Sequence, residues 1–302
     1  SLGMQLAAGA GWDPAALASI LSTMQAEERL HGGKEPRFSF LASHPSTPER
    51  VRSIATEAGS FPVAKHAPIA ADRAATLRHL DGLAIGNDPA QGMFVKTRFL
   101  HPELDLAIDF PDAWKVQNSR NAVVAAAPKG DALSLLRPAV GNEDLNTLAR
   151  QAATNFGLSP DVAVERTTIA GNRAARLEAQ ARMRDGTPVQ LYQTWIEHHG
   201  RVLEILGACA LGSAPAYAEA LRSVARSFRG LTAADWPSIQ ATRLRLQTAK
   251  GSESVASLAA RLTSEWRPEE IAVANGVHAD AMLAEGFAVK VALKEPYRVK
   301  EK

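Results

Sequence analysis

The sequence has almost no cysteine. Cys209 is the single one among 302 residues, so disulfide bonds within the chain are excluded. One thiol fits a reducing compartment and many periplasmic proteins equally well, and the count therefore leaves the location open. Because Cys209 lies in the apolar segment LEILGACAL, we expect a buried structural thiol rather than a reactive one.

Neither sign of charge dominates, and long apolar runs are missing. Lys and Arg number 34 and Asp and Glu 32, which leaves a formal net charge of +2 with the basic residues scattered. This balance argues against a nucleic-acid partner. No stretch approaches the roughly 18 consecutive apolar residues of a membrane-spanning helix. The hydrophobic share of 46% predicts a packed core.

Self-contained catalytic motifs are also missing. The sequence has no HExxH, CxxC or GxSxG motif and no GxGxxG or P-loop glycine pattern. Adjacent side chains diverge in a strand or turn, so we expect the pair His198–His199 to form a polar hairpin turn rather than a metal site. The isolated histidines are expected at the surface: His31, His66, His79, His101 and His278.

Helical periodicity marks the first 60 residues. After the helix start Asp13–Pro14, apolar residues recur at helical spacing: Leu17, Ile20, Leu21 and Met24. The same spacing returns after a capping-box pair and ends before Gly59: Ser46 and Glu49, then Val51, Ile54, Ala55 and Ala58. Residues 61–97 contain several prolines and one short helical candidate, DRAATLRHLDGL, which indicates a linker.

Period-two alternation marks the middle of the chain, residues 98–235. The stretch from Ala175 to Arg184 alternates apolar and polar residues, and turns at Asp185–Gly186 and His198–Gly200 predict a three-strand antiparallel meander. Two helices should bracket it, one from Leu145 to Phe156 and one from Tyr217 to Phe228. The segments LDLAIDFP and AVVAAAP should extend the sheet. The fold class predicted here is α+β, an antiparallel sheet covered by helices.

The last part, residues 236–302, has a strand–helix–helix–strand pattern. Its strands are TRLRLQTA and FAVKVALK. One helix carries Val255, Leu258, Ala259 and Leu262, and a short one follows Pro268. The chain also enters directly into helix-like sequence at Ser1, with no initiator Met and no signal-peptide pattern. We therefore expect it to be the later part of something longer.

The first 60 residues resemble the end of the catalytic domain of zinc metallopeptidases of the CAAX prenyl protease, HtpX and BepA-like type. Leu2–Gly3 match the tail of that family's second zinc motif, and Gly11-Trp12-Asp13-Pro14 match its following turn. His44–Pro45 with Arg50 match its histidine-proline motif. The resemblance implies that the zinc ligands and the general base would all precede Ser1, so zinc would belong to the full-length protein only.

By this resemblance, His44 is an active-site residue. It would stabilise the oxyanion that develops at the scissile carbonyl, or approach the metal in a closed state, and Arg50 would support the site. Pro45 and Ser46 would hold the imidazole on a rigid loop. The alternative from the residues alone is a helix-capping loop with a surface histidine.

Two further resemblances concern the rest of the chain. The segments TAKGSESVASLAARL, EEIAVANGV and LAEGFAVKV are similar to a LysM module, which implies peptidoglycan as a partner; a packing role is the alternative. Gly251-Ser252-Glu253-Ser254-Val255 replaces the usual Gly-Asp-Thr-Leu. The middle domain resembles PsbP-like α/β sandwiches in its sequence order, which implies no activity.

Together these resemblances predict a multidomain C-terminal fragment of a bacterial zinc endopeptidase. It would comprise a helical end of the catalytic domain at 1–60, a linker at 61–97, an accessory domain at 98–235 and a LysM-like domain at 236–302. This fragment would itself be inactive, its full-length form acting on proteins or peptides in the periplasm or cell envelope. The alternative is a noncatalytic cell-wall-binding or scaffold protein with a degenerate peptidase remnant.

Overall fold

A computed structural model describes residues 2–30, 48–65, 70–119, 121–139, 144–159, 161–183 and 185–299, without the side chains of 48–50. The chain divides into two compact units. The first comprises Ser1–Gly86 with Thr242–Glu295, and the second Asn87–Ala241 with Pro296–Lys302. The domain boundaries predicted from sequence patterns stay a prediction.

The first unit begins with helices. They are α1 (Leu2–Gly9), α2 (Ala16–Leu30), α3 (Pro48–Ala58) and the short α4 (Arg73–Arg78). The first three bury a common apolar cluster formed by Met4, Ala18, Leu21, Ile54 and Ala58. The predicted stripe of α2 is wrong in one position, since Ile20 is 56% exposed. The buried face of α2 carries Ala18 and Leu21. Because consecutive side chains of a helix are rotated by about 100°, Ile20 does not share the face of Leu21.

The same unit contains the predicted strand–helix–helix–strand order near the end of the chain. The strand β11 (Gln240–Thr248), which starts two residues before the unit does, pairs with β14 (Ala288–Pro296). Between them lie β12 (Glu253–Ser254), α7 (Val255–Leu262), α8 (Pro268–Asn275) and β13 (Met282–Leu283), and β12 pairs with β13. Its core is aliphatic: Val255, Leu258, Ile271, Val289 and Val291.

The segment predicted as a linker adds to this strand pair. The N–H of Gly82 donates to the carbonyl of Leu244 at 2.8 Å, and that of Ile85 donates to the carbonyl of Thr242 at 2.9 Å. A run rich in proline and glycine showed no strand periodicity, so this pairing could not be expected from the sequence. Within the described residues, no helix of the chain is long and apolar enough to cross a membrane.

The second unit contains two antiparallel sheets. The small one has the order β1 (Met93–Val95), β2 (Arg98–His101) and β3 (Leu106–Asp109). The prediction that LDLAIDFP extends the main sheet is therefore wrong, because its strand β3 pairs with β2 instead. A single 3-10 turn, Pro102–Leu104, joins the two strands and keeps β3 in this local hairpin.

The large sheet has seven strands in the order β4-β5-β6-β10-β9-β8-β7. Their bounds are Lys115–Asn118, Val123–Ala126, Ala132–Pro138, Val164–Ile169, Asn172–Arg182, Pro188–His198 and Arg201–Ala210 for β4 to β10. The segment AVVAAAP forms β5, as predicted, and β8, β9 and β10 form the predicted meander. The chain is thus α+β with a large antiparallel sheet.

Helices cover both faces of this sheet. The helix α5 (Leu145–Asn155) packs on Ala175, Leu177 and Trp195, while α6 (Ala214–Arg226) packs on the face that carries Ile196 and Ile205. Both helices match the sequence prediction. Consecutive residues of a strand point to opposite faces, so Trp195 and Ile196 serve different cores. The thiol of Cys209 is buried as expected, and burial raises its pKa.

Candidate functional site

The segment that resembles the metallopeptidase turn forms a tight corner between α1 and α2. Gly11 has φ +83°, a conformation that side chains with a Cβ rarely adopt. The N–H of Trp12 donates to the carbonyl of Ala7 at 2.8 Å, and the Asp13 carboxylate accepts from the N–H of Ala15 at 2.8 Å. Glycine at position 11 and aspartate at position 13 therefore each have a local structural reason.

The structure describes only some of the predicted site residues. His44, Pro45 and Ser46 lie outside the described residues. Arg50 lies in the first turn of α3, and its side chain is outside the described part of the chain. The roles predicted for His44 and Arg50 therefore stay predictions.

The histidine pair behaves differently from the prediction. His199 and Gly200 form the turn between β9 and β10, as expected, with φ +46° and +73°. This left-handed backbone breaks the alternation of the strand, so the rings of His198 and His199 lie with centroids 4.2 Å apart. The expectation that the two side chains diverge is wrong.

Asp105 completes a cluster with these two rings. His198 is buried, and its Nε2 lies 2.8 Å from the carbonyl oxygen of Asp105 and 3.1 Å from that of Leu104. The Nε2 of His199 lies 3.1 Å from the Asp105 carboxylate. The other carboxylate oxygen accepts from the N–H of Leu231 at 3.1 Å. The cluster attaches the β9–β10 hairpin to the turn before β3.

This cluster is the one group of three potential metal ligands within the described ranges. A carbonyl oxygen only accepts hydrogen bonds, so the Nε2 of His198 carries a proton and offers no lone pair to a metal. Its Nδ1 faces the side-chain oxygen of Asn172 at 3.5 Å. Because two backbone carbonyls hold the Nε2 of His198, we assign the cluster a structural role.

A half-buried histidine lies in a recess of the second unit. The Nδ1 of His101 accepts a hydrogen bond from the N–H of Leu104 at 3.2 Å. Burial is the main cause that lowers the pKa of His101, against the nearby Glu103, which raises it. The recess is also lined by Phe99, Asn118 and Leu136. A neutral imidazole with a protonated Nε2 suits this hydrogen bond.

The strand–helix–helix–strand segment is closed by a buried asparagine at the end of α8. The side chain of Asn275 donates to the carbonyls of Ile271 and Lys290 at 2.8 Å each, and it accepts from the N–H of Lys290 at 2.8 Å. The guanidinium of Arg73 lies 4.8 Å from the centre of the Phe287 ring and donates to the carbonyl of Ala288. Arg73 therefore occupies one side of this segment.

Comparisons with known proteins add structural neighbours but no family. No protein-family model and no curated protein matches the chain. CyanoP, the cyanobacterial PsbP of Synechocystis, is 14% identical, with 46% of this chain and 95% of that chain covered and a TM-score of 0.36.

Two other solved structures are similar to parts of the chain. A Pseudomonas aeruginosa protein of unknown function, PA94, is 20% identical over 43% of this chain and 94% of that chain, with a TM-score of 0.30. LpqN of Mycobacterium tuberculosis, described as involved in cell envelope biogenesis, is 16% identical over 41% and 82%, with a TM-score of 0.31. At such scores none of the three carries a functional argument.

Proposed function

We propose that the chain is a noncatalytic C-terminal part of a bacterial zinc-dependent endopeptidase that acts on proteins or peptides in the periplasm or cell envelope. The observation that carries the proposal is the order of two motifs within the first 60 residues. The corner Gly11–Pro14 comes first, and His44–Pro45 with Arg50 follow. The corner has a positive φ at Gly11 and a hydrogen bond from the N–H of Ala15 to the Asp13 carboxylate.

In this proposal the chain supplies an auxiliary group and no metal ligand. Zinc, bound by residues outside this sequence, would supply Lewis-acid activation of water and of the scissile carbonyl. His44 would donate a hydrogen bond to the developing oxyanion, and Arg50 would support that loop.

The test is a turnover measurement on the full-length protein with the substitution His44→Ala. Loss of an oxyanion donor lowers kcat by about two orders of magnitude or more, whereas zinc content should not change. His79→Ala is a matched control, because His79 is an exposed histidine of the same unit, next to the C-terminal end of α4. Equal turnover of the His44→Ala and His79→Ala proteins would remove His44 from the mechanism.

A noncatalytic cell-wall-binding protein is the second candidate. The specific observation in its favour is the strand–helix–helix–strand order, with glycines of positive φ at the turns: Gly251, Gly276 and Gly286. Sedimentation of the whole chain with insoluble peptidoglycan tests it. Met282 is 62% exposed next to these turns, and Met183 in the second unit is 48% exposed. Binding that is lost with Met282→Ala and kept with Met183→Ala would support this candidate.

A further inference from the structure

A cavity of about 180 Å³ lies between α5 and the large sheet. Apolar side chains from both elements line it, and the polar Gln151 and Asn155 of α5 line it as well. The apolar ones include Leu148, Ala152, Phe156 and Trp195. Its remaining lining on the sheet includes three polar side chains, Arg137, Gln193 and Glu204. We call these three the polar floor. They lie on β6, β9 and β10, which are adjacent strands of the sheet.

Two of the three side chains of the polar floor are buried, and all three are joined by hydrogen bonds. Glu204 is 4% exposed and Gln193 is 2% exposed. The Nε of Arg137 donates to one carboxylate oxygen of Glu204 at 2.7 Å, and the Nε2 of Gln193 donates to the other. The Oε1 of Gln193 is buried and has no hydrogen-bond partner among the described residues. One acceptor of the cavity lining is therefore unused.

A contribution to folding stability does not explain why these polar side chains are buried here. A buried ion pair recovers its desolvation cost only with excellent geometry, and an unpartnered buried oxygen is unfavourable. The two residues directly opposite Gln193 on the neighbouring strands are apolar, Leu177 on β8 and Leu206 on β10. An apolar residue at 193 would continue that surface. Polar residues that destabilise a core are expected where they serve binding.

The polar floor and the walls define the complementary ligand. The unpartnered Oε1 of Gln193 calls for a hydrogen-bond donor. The side chain of Arg137 is 43% exposed, and its Nε is bonded to Glu204. Its terminal nitrogens form no other hydrogen bond within the described residues, so they can receive an anionic group. Because the charges of Arg137 and Glu204 cancel, a ligand without net charge adds no uncompensated charge.

We infer that this cavity binds a single α-amino acid with an apolar side chain. The ammonium group faces Gln193 and Glu204, the carboxylate faces Arg137, and the side chain lies between Phe156 and Trp195. The volume is below the range of about 300–1,000 Å³ that accommodates drug-sized ligands, which favours a ligand of this small size. The inference does not rest on the proposed peptidase relationship.

Calorimetric titration of the whole chain with L-leucine and L-phenylalanine tests this site. We expect saturable binding of at least one of them. Leucine amide, which lacks the carboxylate, and N-acetyl-leucine, which lacks the ammonium, should bind about tenfold more weakly or worse. Absence of saturable binding of both amino acids up to about 10 mM would overturn the inference. Equal binding of the blocked leucines would overturn the assignment of the two charged ends.

Two substitutions connect binding to the polar floor. Gln193→Met removes the unpartnered oxygen and should weaken leucine binding about tenfold or more. Gln190→Met is the matched control on the same strand, since Gln190 donates to the carbonyls of Ala179 and Leu191 and does not line the cavity. Arg137→Lys keeps the charge and removes the planar fork, so leucine should bind more weakly while leucine amide is unaffected.

Stability separates a binding role from a purely structural one. If an ordered water satisfies Gln193 and no amino acid binds, Gln193→Met changes the melting temperature alone, and the inference fails. If Gln193→Met folds with an unchanged or higher melting temperature and loses leucine binding, the inference holds. NMR line shifts of the Trp195 indole on addition of leucine give a second readout that does not depend on any variant.

Discussion

His198 donates a hydrogen bond from Nε2 to the carbonyl oxygen of Asp105, 2.8 Å away, from a buried position at the end of β9. Phe228 packs edge-on against the same ring, with centroids 5.1 Å apart and planes at 90°. The bond joins residues 93 positions apart in the sequence. It therefore connects the hairpin β9–β10 to the chain before β3.

We expect His198→Ala to destabilise the second unit by about 2–3 kcal/mol, because it leaves a cavity and two carbonyls without their donor. His199→Ala should cost less than about 1 kcal/mol, since the exposed pair with Asp105 contributes little. Urea unfolding of the two variants compares these costs. Thermal stabilisation by zinc in the wild-type chain that disappears in His198→Ala would contradict the structural assignment.

The environment of Asp235 should make the free energy of unfolding depend on pH. Two hydrogen bonds from Arg229, at 2.7 and 2.9 Å, are the largest cause that holds the pKa of Asp235 well below its usual range, and Thr232 adds further bonds. Asp235 is 5% exposed. Because the folded-state pKa is depressed, this contribution is complete above the ordinary pKa of about 3.9 and decreases as the pH falls below it.

We expect Asp235→Asn to cost about 2–3 kcal/mol at pH 7, since it leaves Arg229 without its partner. The difference from the wild-type chain should shrink between about pH 4 and pH 2. Urea unfolding at several pH values measures it. Asp161→Asn, which removes an exposed carboxylate, is the control. A gap between wild type and Asp235→Asn that stays constant down to pH 2 would show that Arg229 does not hold the ionised form.

His101 predicts a pH effect at a higher pH. Its pKa is lowered, chiefly by burial, so the unfolded chain takes up a proton on this side chain first as the pH falls. The contribution of His101 to the free energy of unfolding should weaken as the pH drops below about 6.5, the ordinary pKa of histidine. His101→Gln should flatten the loss of stability between about pH 6.5 and 5 relative to the wild-type chain. An identical slope in both proteins would contradict this assignment.

Local patterns predicted much of the fold. The alternation of apolar and polar residues identified β8 and the meander, because a period of two residues is visible in the sequence of a single strand. Helical spacing identified α5 and α6 for the same reason. The pairing of β3 with β2 depends on which strand lies nearby, and the bonds of residues 82–85 to β11 depend on partners about 160 positions away. Local periodicity holds no information about such partners.

The candidate sites were less predictable than the elements. Adjacent histidines diverge in a regular strand, and the positive φ of His199 that brings the rings together follows from the hairpin turn. The polar floor could have been suspected from Gln193 and Glu204, which interrupt apolar strands. A sequence does not show that both lie on the face covered by α5, beside Arg137. That requires the register of three strands.

Position 92 cannot take an additional methyl group without a large loss of stability. Its backbone, with φ 81° and ψ 157°, lies in a region that is essentially restricted to glycine. A Cβ there would come within 2.7 Å of the Cε2 of Phe99, a ring that is 1% exposed in the main core. Neither the backbone nor the ring can move without disturbing the packing around it.

We expect Gly92→Ala to destabilise the second unit by about 3 kcal/mol or more, from backbone strain of about 1–3 kcal/mol and overpacking of a similar size. Gly130→Ala is the control, because Gly130 also has positive φ, +74°, while its Cβ would meet nothing within 4 Å. Strain alone should cost it about 1 kcal/mol. The urea midpoints of the two alanine variants separate backbone strain from overpacking against Phe99. Equal midpoints would mean that the Phe99 ring accommodates the methyl group without a loss of stability.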